Sequence, residues 1–111
     1  MMSKTEDAWA AGLFEGEGSV GLNQGRYLYI QMATTDKDVL QRFAAWGSLT
    51  VTGPYKYTNN RKPYWRVAVQ GKLAYNAMER MLPYLGERRT TRYNEIRERS
   101  STSSFYRIKS D

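Results

Sequence analysis

Apolar and polar positions alternate in two parts of the chain, and each part predicts a β-hairpin. The first hairpin comprises residues 19–23 and 26–34, joined by a Gln-Gly tight turn. The second comprises residues 49–57 and 65–70, joined by a polar loop, although Gly53-Pro54 interrupts its first strand. One face of each hairpin is apolar, so each needs a covering layer.

Helical spacing of apolar residues predicts a helix before each hairpin. Ser3 and Glu6 match a capping box at the start of the first helix, which the glycines from Gly16 onward should end. Thr35, with an acid three residues later, resembles a cap for the second helix, and Gly47 should end it. The chain therefore alternates a helix with a hairpin twice.

Two more helices are predicted after the second hairpin. The third follows Gly71, and Pro83 must bend or end its regular hydrogen bonding. The fourth covers residues 87–99 and is basic, with Tyr93 and Ile96 facing inward.

These elements predict one α+β domain over residues 1–99. Their order is helix, strand, strand, helix, strand, strand, helix, helix, which fits a four-stranded antiparallel sheet with all helices on one face. Residues 100–111 are rich in serine and low in hydrophobic content, which predicts a loosely ordered polar tail.

The other face of the sheet is predicted to be polar, aromatic and cationic. That face and the hairpin tips comprise Arg26, Tyr27, Tyr29, Gln31, Thr50, Thr52, Lys56, Arg61, Lys62, Arg66 and Gln70. Such residues suit contacts with phosphates and with base edges in a groove that admits a β-ribbon. The alternation alone leaves a second interpretation open, in which these side chains simply face water.

Composition restricts the chemistry further. The 111 residues include no cysteine and no histidine, and the net charge is +6. Disulfide scaffolds, thiolate nucleophiles, histidine-based triads and metal sites built on cysteine or histidine are therefore excluded. Carboxylates, hydroxyls, basic side chains and hard cations remain. The positive charge favours nucleic acid or an anionic membrane surface as partner. Because no apolar stretch is long enough for a span or a signal peptide, we expect an intracellular protein.

The segment AAGLFEGEG at the end of the first helix is the most informative. Gly12 and Gly16 lie four residues apart, as do Ala8 and Gly12, so this stripe of small residues lets another helix approach closely. Glu15 and Glu17 lie at the negative end of the helix dipole and need a positive partner, for which Mg²⁺ is a candidate. Spacing alone also allows two solvated acids paired with surface lysines.

This segment resembles the LAGLIDADG motif of homing endonucleases, in the form of their single-motif members. The predicted order of elements is similar to the αββαββα core of that family. The run LPYLGERR at residues 82–89 resembles the closing helix of the family and the basic run that follows it. The resemblance covers about residues 5–97, but Ala10 replaces the initial leucine and glutamate replaces both aspartates.

The resemblance implies a homodimeric, site-specific endonuclease that hydrolyses a long, near-palindromic double-stranded DNA site with Mg²⁺. It implies that Glu17, next to Gly16, binds the metal, that Arg88 lies near the scissile phosphates, and that Thr35 helps to hold water there. We expect no membrane partner and no small-molecule cofactor. The implied dimer interface comprises Ala8, Gly12, Leu13 and Gly16.

Two other functions stay open at this point. The same fold is compatible with a non-cleaving DNA- or RNA-binding module, such as a repressor or a protein similar to an intron maturase. A small interaction domain with an incidental charge is the third possibility. Glu17 favours cleavage, because a protein that only binds has little need of paired acids at a helix C-terminus.

Overall fold

The computed structural model describes residues 3–58 and 61–100. The elements follow one another in the predicted order. They are α1 (Lys4–Glu17), β1 (Gly18–Asn23), β2 (Tyr27–Thr34), α2 (Lys37–Gly47), β3 (Thr52–Tyr55), β4 (Tyr64–Gln70), α3 (Lys72–Met81), a 3-10 turn (Leu82–Tyr84) and α4 (Glu87–Arg99). The break between α3 and the 3-10 turn confirms the predicted effect of Pro83.

Within the described residues, the strands form one antiparallel sheet in the order β1-β2-β4-β3. Met32 of β2 lies opposite both Gly18 at the start of β1 and Val67 in β4. The C-terminal end of α1 therefore meets the sheet at the end where β2 finishes and β4 begins. The predicted α+β fold is confirmed.

The helices pack on one face of the sheet and bury its apolar side chains. Leu28, Ile30, Met32 and Val67 are almost fully buried and belong to the same core as Phe14, Phe43, Met78, Tyr93 and Ile96 of the helices. Burial of a large apolar side chain contributes about 1.5–3 kcal/mol, so this layer is the main source of stability. The inward orientation predicted for Tyr93 and Ile96 is confirmed.

Polar contacts near the start of α1 connect three helices. The Ser3 hydroxyl accepts the Glu6 N–H at 3.1 Å, as the capping box predicts. Asp7 accepts a hydrogen bond from the Trp46 indole at 2.9 Å and forms an ion pair with Arg80 at 3.1 Å. The Arg80 guanidinium also donates to the Trp46 carbonyl at 3.0 Å. Because α1 is attached to α2 and α3 in this way, its C-terminal end has a defined position.

The predicted cap at Thr35 is wrong. Asp36 occupies the N-cap position of α2 without a side-chain cap hydrogen bond, and Thr34 accepts the Asp36 N–H at 3.1 Å. Because β2 continues to Thr34, the chain needs one more residue to turn into the helix. The first helix ends at Glu17 with Gly18 as its C-cap, within the glycine-containing segment where the sequence predicts its end.

The strand predicted at residues 49–57 is shorter in the structure. Only Thr52–Tyr55 pairs with β4, so Thr50 lies before the strand, and Gly53-Pro54 lies within it. Gly53 has φ of +126°, a conformation that side chains rarely adopt, and the register shifts between Thr52 and Tyr55. Gly53 and Pro54, which interrupt the alternating pattern in the sequence, therefore lie within a bulged edge strand.

The far end of the chain is described only up to Ser100. Ser100 is buried and follows α4 directly. The remainder of the predicted polar tail, residues 101–111, lies outside the described residues. None of the described helices is long and apolar enough to cross a membrane.

Candidate nucleic-acid interface and active site

The two acids of the α1 motif have different surroundings. Glu15 accepts the Gly86 N–H at 2.7 Å through Oε1 and the Arg89 Nε–H at 3.1 Å through Oε2. Arg89 also donates to the Glu15 carbonyl at 3.1 Å and lies over the Phe14 ring. Arg89 therefore supplies the positive charge that the helix end needs. Glu15 is a structural residue that attaches α1 to the start of α4.

Glu17, in contrast, is exposed and makes no ion pair with the residues that the structure describes. It lines a pocket of about 330 Å³ together with Gln31, Tyr57, Tyr64 and Arg66, among others. No group of three or more metal-binding side chains occurs in the described ranges. A Mg²⁺ ion that takes one or two protein carboxylates and completes its shell with phosphate and water fits such a position.

The face of the sheet opposite the helices carries many of the predicted interface residues. In β2, Tyr27, Tyr29 and Gln31 alternate with the buried residues, and Arg66 and Gln70 do the same in β4. Arg66 donates to Gln31 at 3.3 Å across the two strands. The open face is therefore polar and cationic at its centre, with side chains whose orientation is partly set by their neighbours.

The remaining predicted interface residues lie toward the ends of the strands. Thr52 donates to the Arg66 carbonyl at 3.3 Å, and Arg26 lies in the β1–β2 turn with its guanidinium 5.6 Å from the Tyr27 ring centroid. The connection between β3 and β4 carries three exposed cations, Lys56, Arg61 and Lys62. Sequence reasoning missed Asn23, which donates to Gln70 at 2.8 Å. The sequence signal was that Asn23 alternates with the apolar Val20 and Leu22, which assigns it to the polar face of β1.

Three tyrosines, which we call the tyrosine cluster, meet at the β3–β4 edge of the open face. The rings of Tyr57 and Tyr64 are stacked with centroids 4.5 Å apart, and the Tyr55 ring lies tilted against Tyr64 with centroids 5.4 Å apart. Burial raises the pKa of Tyr64, and the Tyr57 hydroxyl raises it further. Sequence reasoning missed this cluster, because its members meet only through the pairing of Tyr55 with Tyr64.

Arg88 and Thr35, for which the resemblance implies catalytic roles, are both exposed near the end of the sheet where Glu17 lies. Arg88 and Arg92 of α4 line a shallow groove with Gly18 and Ser19 at the start of β1. Thr35 follows the last residue of β2. The structure thus places both residues around the same end of the sheet, and Arg92, from the helix predicted to be basic, is a further cation there.

The small-residue stripe of α1 is not covered by any described part of the chain. Gly12 and Gly16 are exposed, and a Cβ added at either would meet nothing within 4 Å. The other predicted interface residues, Ala8 and Leu13, are half-buried. Gly18 differs, because a Cβ there would come within 2.2 Å of the Phe14 ring. The two helix glycines therefore pack against no other part of the chain that the structure describes.

The fold, with one helix layer under a four-stranded sheet, is similar to that of a homing endonuclease of known structure. Two crystal structures of the homing endonuclease I-CvuI, each in complex with DNA, match it with TM-scores of 0.56 and 0.58 at 16% and 18% sequence identity. One contains 2 mM Ca and the target Sro1.3, and the other contains 2 mM Mg and the uncleaved I-CreI target C1221.

This similarity shows the fold alone. Each match covers 75% of this chain and 58% of the I-CvuI chain. No protein-family model matches the sequence. No curated protein has significant sequence similarity to it.

Proposed function

We propose that this chain is a homodimeric, Mg²⁺-dependent DNA endonuclease that cleaves a long, near-palindromic double-stranded site. The observation that carries the proposal is the contrast within one motif: Glu15 is held by Gly86 and Arg89, whereas Glu17 is exposed at the same helix end. The similarity in fold to I-CvuI, which is bound to DNA in both structures, supports the class of substrate.

The stripe on α1 supports a dimer. Cleavage of two DNA strands needs two sites, and each chain offers one such acid at this helix end. Packing of Gly12 and Gly16 against the same stripe of a second chain is a two-fold contact between identical surfaces. The helix glycines allow close approach of the backbones, which compensates the cost of about 1 kcal/mol for each glycine relative to alanine. Such packing, with Ala8 and Leu13 at its margin, brings two copies of Glu17 together.

The Glu17 carboxylates near the two-fold axis of the proposed dimer provide the chemistry. One Glu17 from each chain, beside Gly16 in the last helical turn, would hold Mg²⁺ in the mode that uses few protein ligands. When bound, the metal polarises the phosphate and lowers the pKa of the attacking water. Arg88 neutralises charge on the phosphate, and Thr35 offers a hydroxyl that positions water. No histidine or protein nucleophile is needed, in agreement with the composition.

The open face provides recognition. Arg66 and Gln31 lie at its centre, and the cations of the turns at Arg26, Arg61 and Lys62 lie toward the ends, where phosphates are within reach. Two such sheets related by two-fold symmetry would each bind one half-site. Because the charge of +6 doubles in a dimer, the affinity for DNA should fall steeply with salt.

The test is incubation of the protein with a randomised DNA library and Mg²⁺, in parallel with the variant Glu17→Gln. We expect a specific cleaved sequence from the parent only. Binding without cleavage by both proteins would instead favour the non-cleaving DNA-binding module. Sedimentation adds an independent readout, because a chain that stays monomeric with and without DNA contradicts the proposed interface.

A further inference from the structure

We propose that the tyrosine cluster stacks on an unpaired base of the bound DNA, beside the phosphate that Glu17 faces. The chain would then prefer DNA in which base pairing is locally disrupted. This inference rests on the proposed DNA endonuclease function and extends it, because it specifies the state of the base that the site accepts.

The first support is exposure. Tyr57 is 71% exposed and Tyr55 is 39% exposed. Over residues 3–58 and 61–100, only Leu73 and Tyr84 are comparably exposed large hydrophobic side chains. Adjacent exposed aromatic rings on a polar sheet commonly mark a binding surface, because they gain free energy only when a partner covers them. The exposed surface of Tyr55 and Tyr57 is therefore not covered by any described residue.

The second support is the geometry of the rings. Tyr57 and Tyr64 are parallel to within 14°, and Tyr64 is held in β4 and flanked by Tyr55. The half-buried Tyr64 anchors the cluster, while Tyr57 is its most exposed ring. A flat, anchored aromatic surface of this kind stacks on any nucleobase, since every base has a π-face.

The third support is position. Tyr57 and Tyr64 line the same pocket as Glu17 and Arg66. A base that leaves the helical stack and enters this pocket would bring its own phosphate toward the carboxylate of Glu17. The guanidinium of Arg66 offers a positive partner for that phosphate or for a neighbouring one. Aromatic, cationic and acidic groups thus meet at the proposed centre of the cleavage site.

The surrounding surface favours DNA over RNA as the partner. The tyrosine cluster lies at one edge of a sheet whose open face is polar, and the major groove of B-DNA admits a β-ribbon. The corresponding groove of A-form RNA is too deep and narrow for side chains to enter. We therefore infer a DNA duplex with one disrupted position rather than a folded RNA.

The experiment compares the affinity of the full chain for two end-labelled duplexes of about 30 base pairs. One is fully paired, and the other has the same sequence with two unpaired thymines at its centre. Calcium replaces magnesium so that binding is measured without cleavage. We expect the parent to bind the bulged duplex about tenfold more tightly, which lies within the range for stacking of one base on an aromatic side chain.

Variants at one position separate stacking from charge. Tyr57→Ala should reduce the preference to less than about twofold, whereas Tyr57→Trp should keep it, since indole stacks as well as phenol. Lys56→Ala is the matched control at the neighbouring position. It should weaken binding of both duplexes equally and leave their ratio unchanged, because a phosphate contact does not distinguish them. Tyr57→Trp keeps a ring stacked on Tyr64 and should leave the unfolding temperature unchanged, whereas Tyr57→Ala loses this stack and should lower it by only about 4 °C.

Several results would overturn the inference. Equal affinity of the parent for the two duplexes would do so, as would a preference that survives Tyr57→Ala. A tighter complex with the same bulge in RNA would overturn the assignment to DNA. If any of these occurs while specific cleavage of paired DNA persists, only the stacking inference fails. Absence of binding to both duplexes together with absence of cleavage overturns the proposed function as well.

Discussion

The substitution Glu15→Ala tests the division of roles between the two acids of α1. It removes two hydrogen bonds to a charged acceptor, from Gly86 at 2.7 Å and from Arg89 at 3.1 Å. Such bonds contribute about 1.5–3 kcal/mol each, and because the Glu15 side chain is 38% exposed we take the lower part of that range. Removal of an acid from the negative end of a helix offsets this loss, because it stabilises the helix by about 0.3–1 kcal/mol.

The expected net loss is therefore about 2 kcal/mol in the free energy of unfolding, or roughly 8 °C in Tm for a domain of this size. The matched variant Glu17→Ala removes an exposed carboxylate without an ion pair in the described chain, so its stability should stay within about 0.5 kcal/mol of the parent. Urea denaturation at pH 7 measures both values. These roles are contradicted if Glu17→Ala is the destabilised variant, or if Glu15→Ala unfolds at the same urea concentration as the parent.

Three further predictions concern the interface, the core and the phosphate contacts. Gly16→Leu should abolish the proposed dimer but leave the monomer folded, whereas Gly18→Leu should unfold the chain because its Cβ would meet the Phe14 ring. A Gly16→Leu protein that sediments as a dimer would contradict the proposed interface. Burial is the main cause that raises the pKa of Tyr93 in the folded chain, and the hydrogen bond to a nearby glutamate raises it further. As the pH rises above about 10, the Tyr93 hydroxyl therefore loses its proton in the unfolded chain before it does so in the folded chain, and the free energy of unfolding should fall. Tyr93→Phe should flatten that fall in denaturation measured from pH 7 to 11, and an unchanged slope would contradict this cause. Arg88→Ala should reduce the slope of log K against log salt by about two units, one for each chain of the proposed dimer, and an unchanged slope would exclude a phosphate contact.

Burial explains which parts of the fold were predictable from sequence. Leu28, Ile30 and Met32 alternate because one face of β2 meets the helices, and this alternation is visible in the sequence without knowledge of the partner. The edge strand β3 has no buried residue, so it carries no such pattern, and its predicted bounds were wrong. Local patterns thus predict elements only where one of their faces is buried.

Long-range contacts explain which parts of the candidate site were not predictable. The motif indicated that the acids of α1 need a positive charge, but the partner of Glu15 is Arg89, which is 74 positions away along the chain. The stacking of Tyr57 on Tyr64 likewise depends on the strand register around an irregular β3. Periodicity identifies the residue that needs a partner, whereas only the fold identifies the partner itself.

Strand-resolved cleavage by mixed dimers tests most directly the claim that two copies of Glu17 act on two DNA strands. A supercoiled plasmid that carries the selected site is treated with Mg²⁺ and with dimers containing one parent chain and one Glu17→Gln chain, purified through two different affinity tags. We expect linear DNA from the parent dimer and an open circle, cut in one strand, from the mixed dimer. Linear DNA from the mixed dimer, or from a dimer of two Glu17→Gln chains, would contradict it.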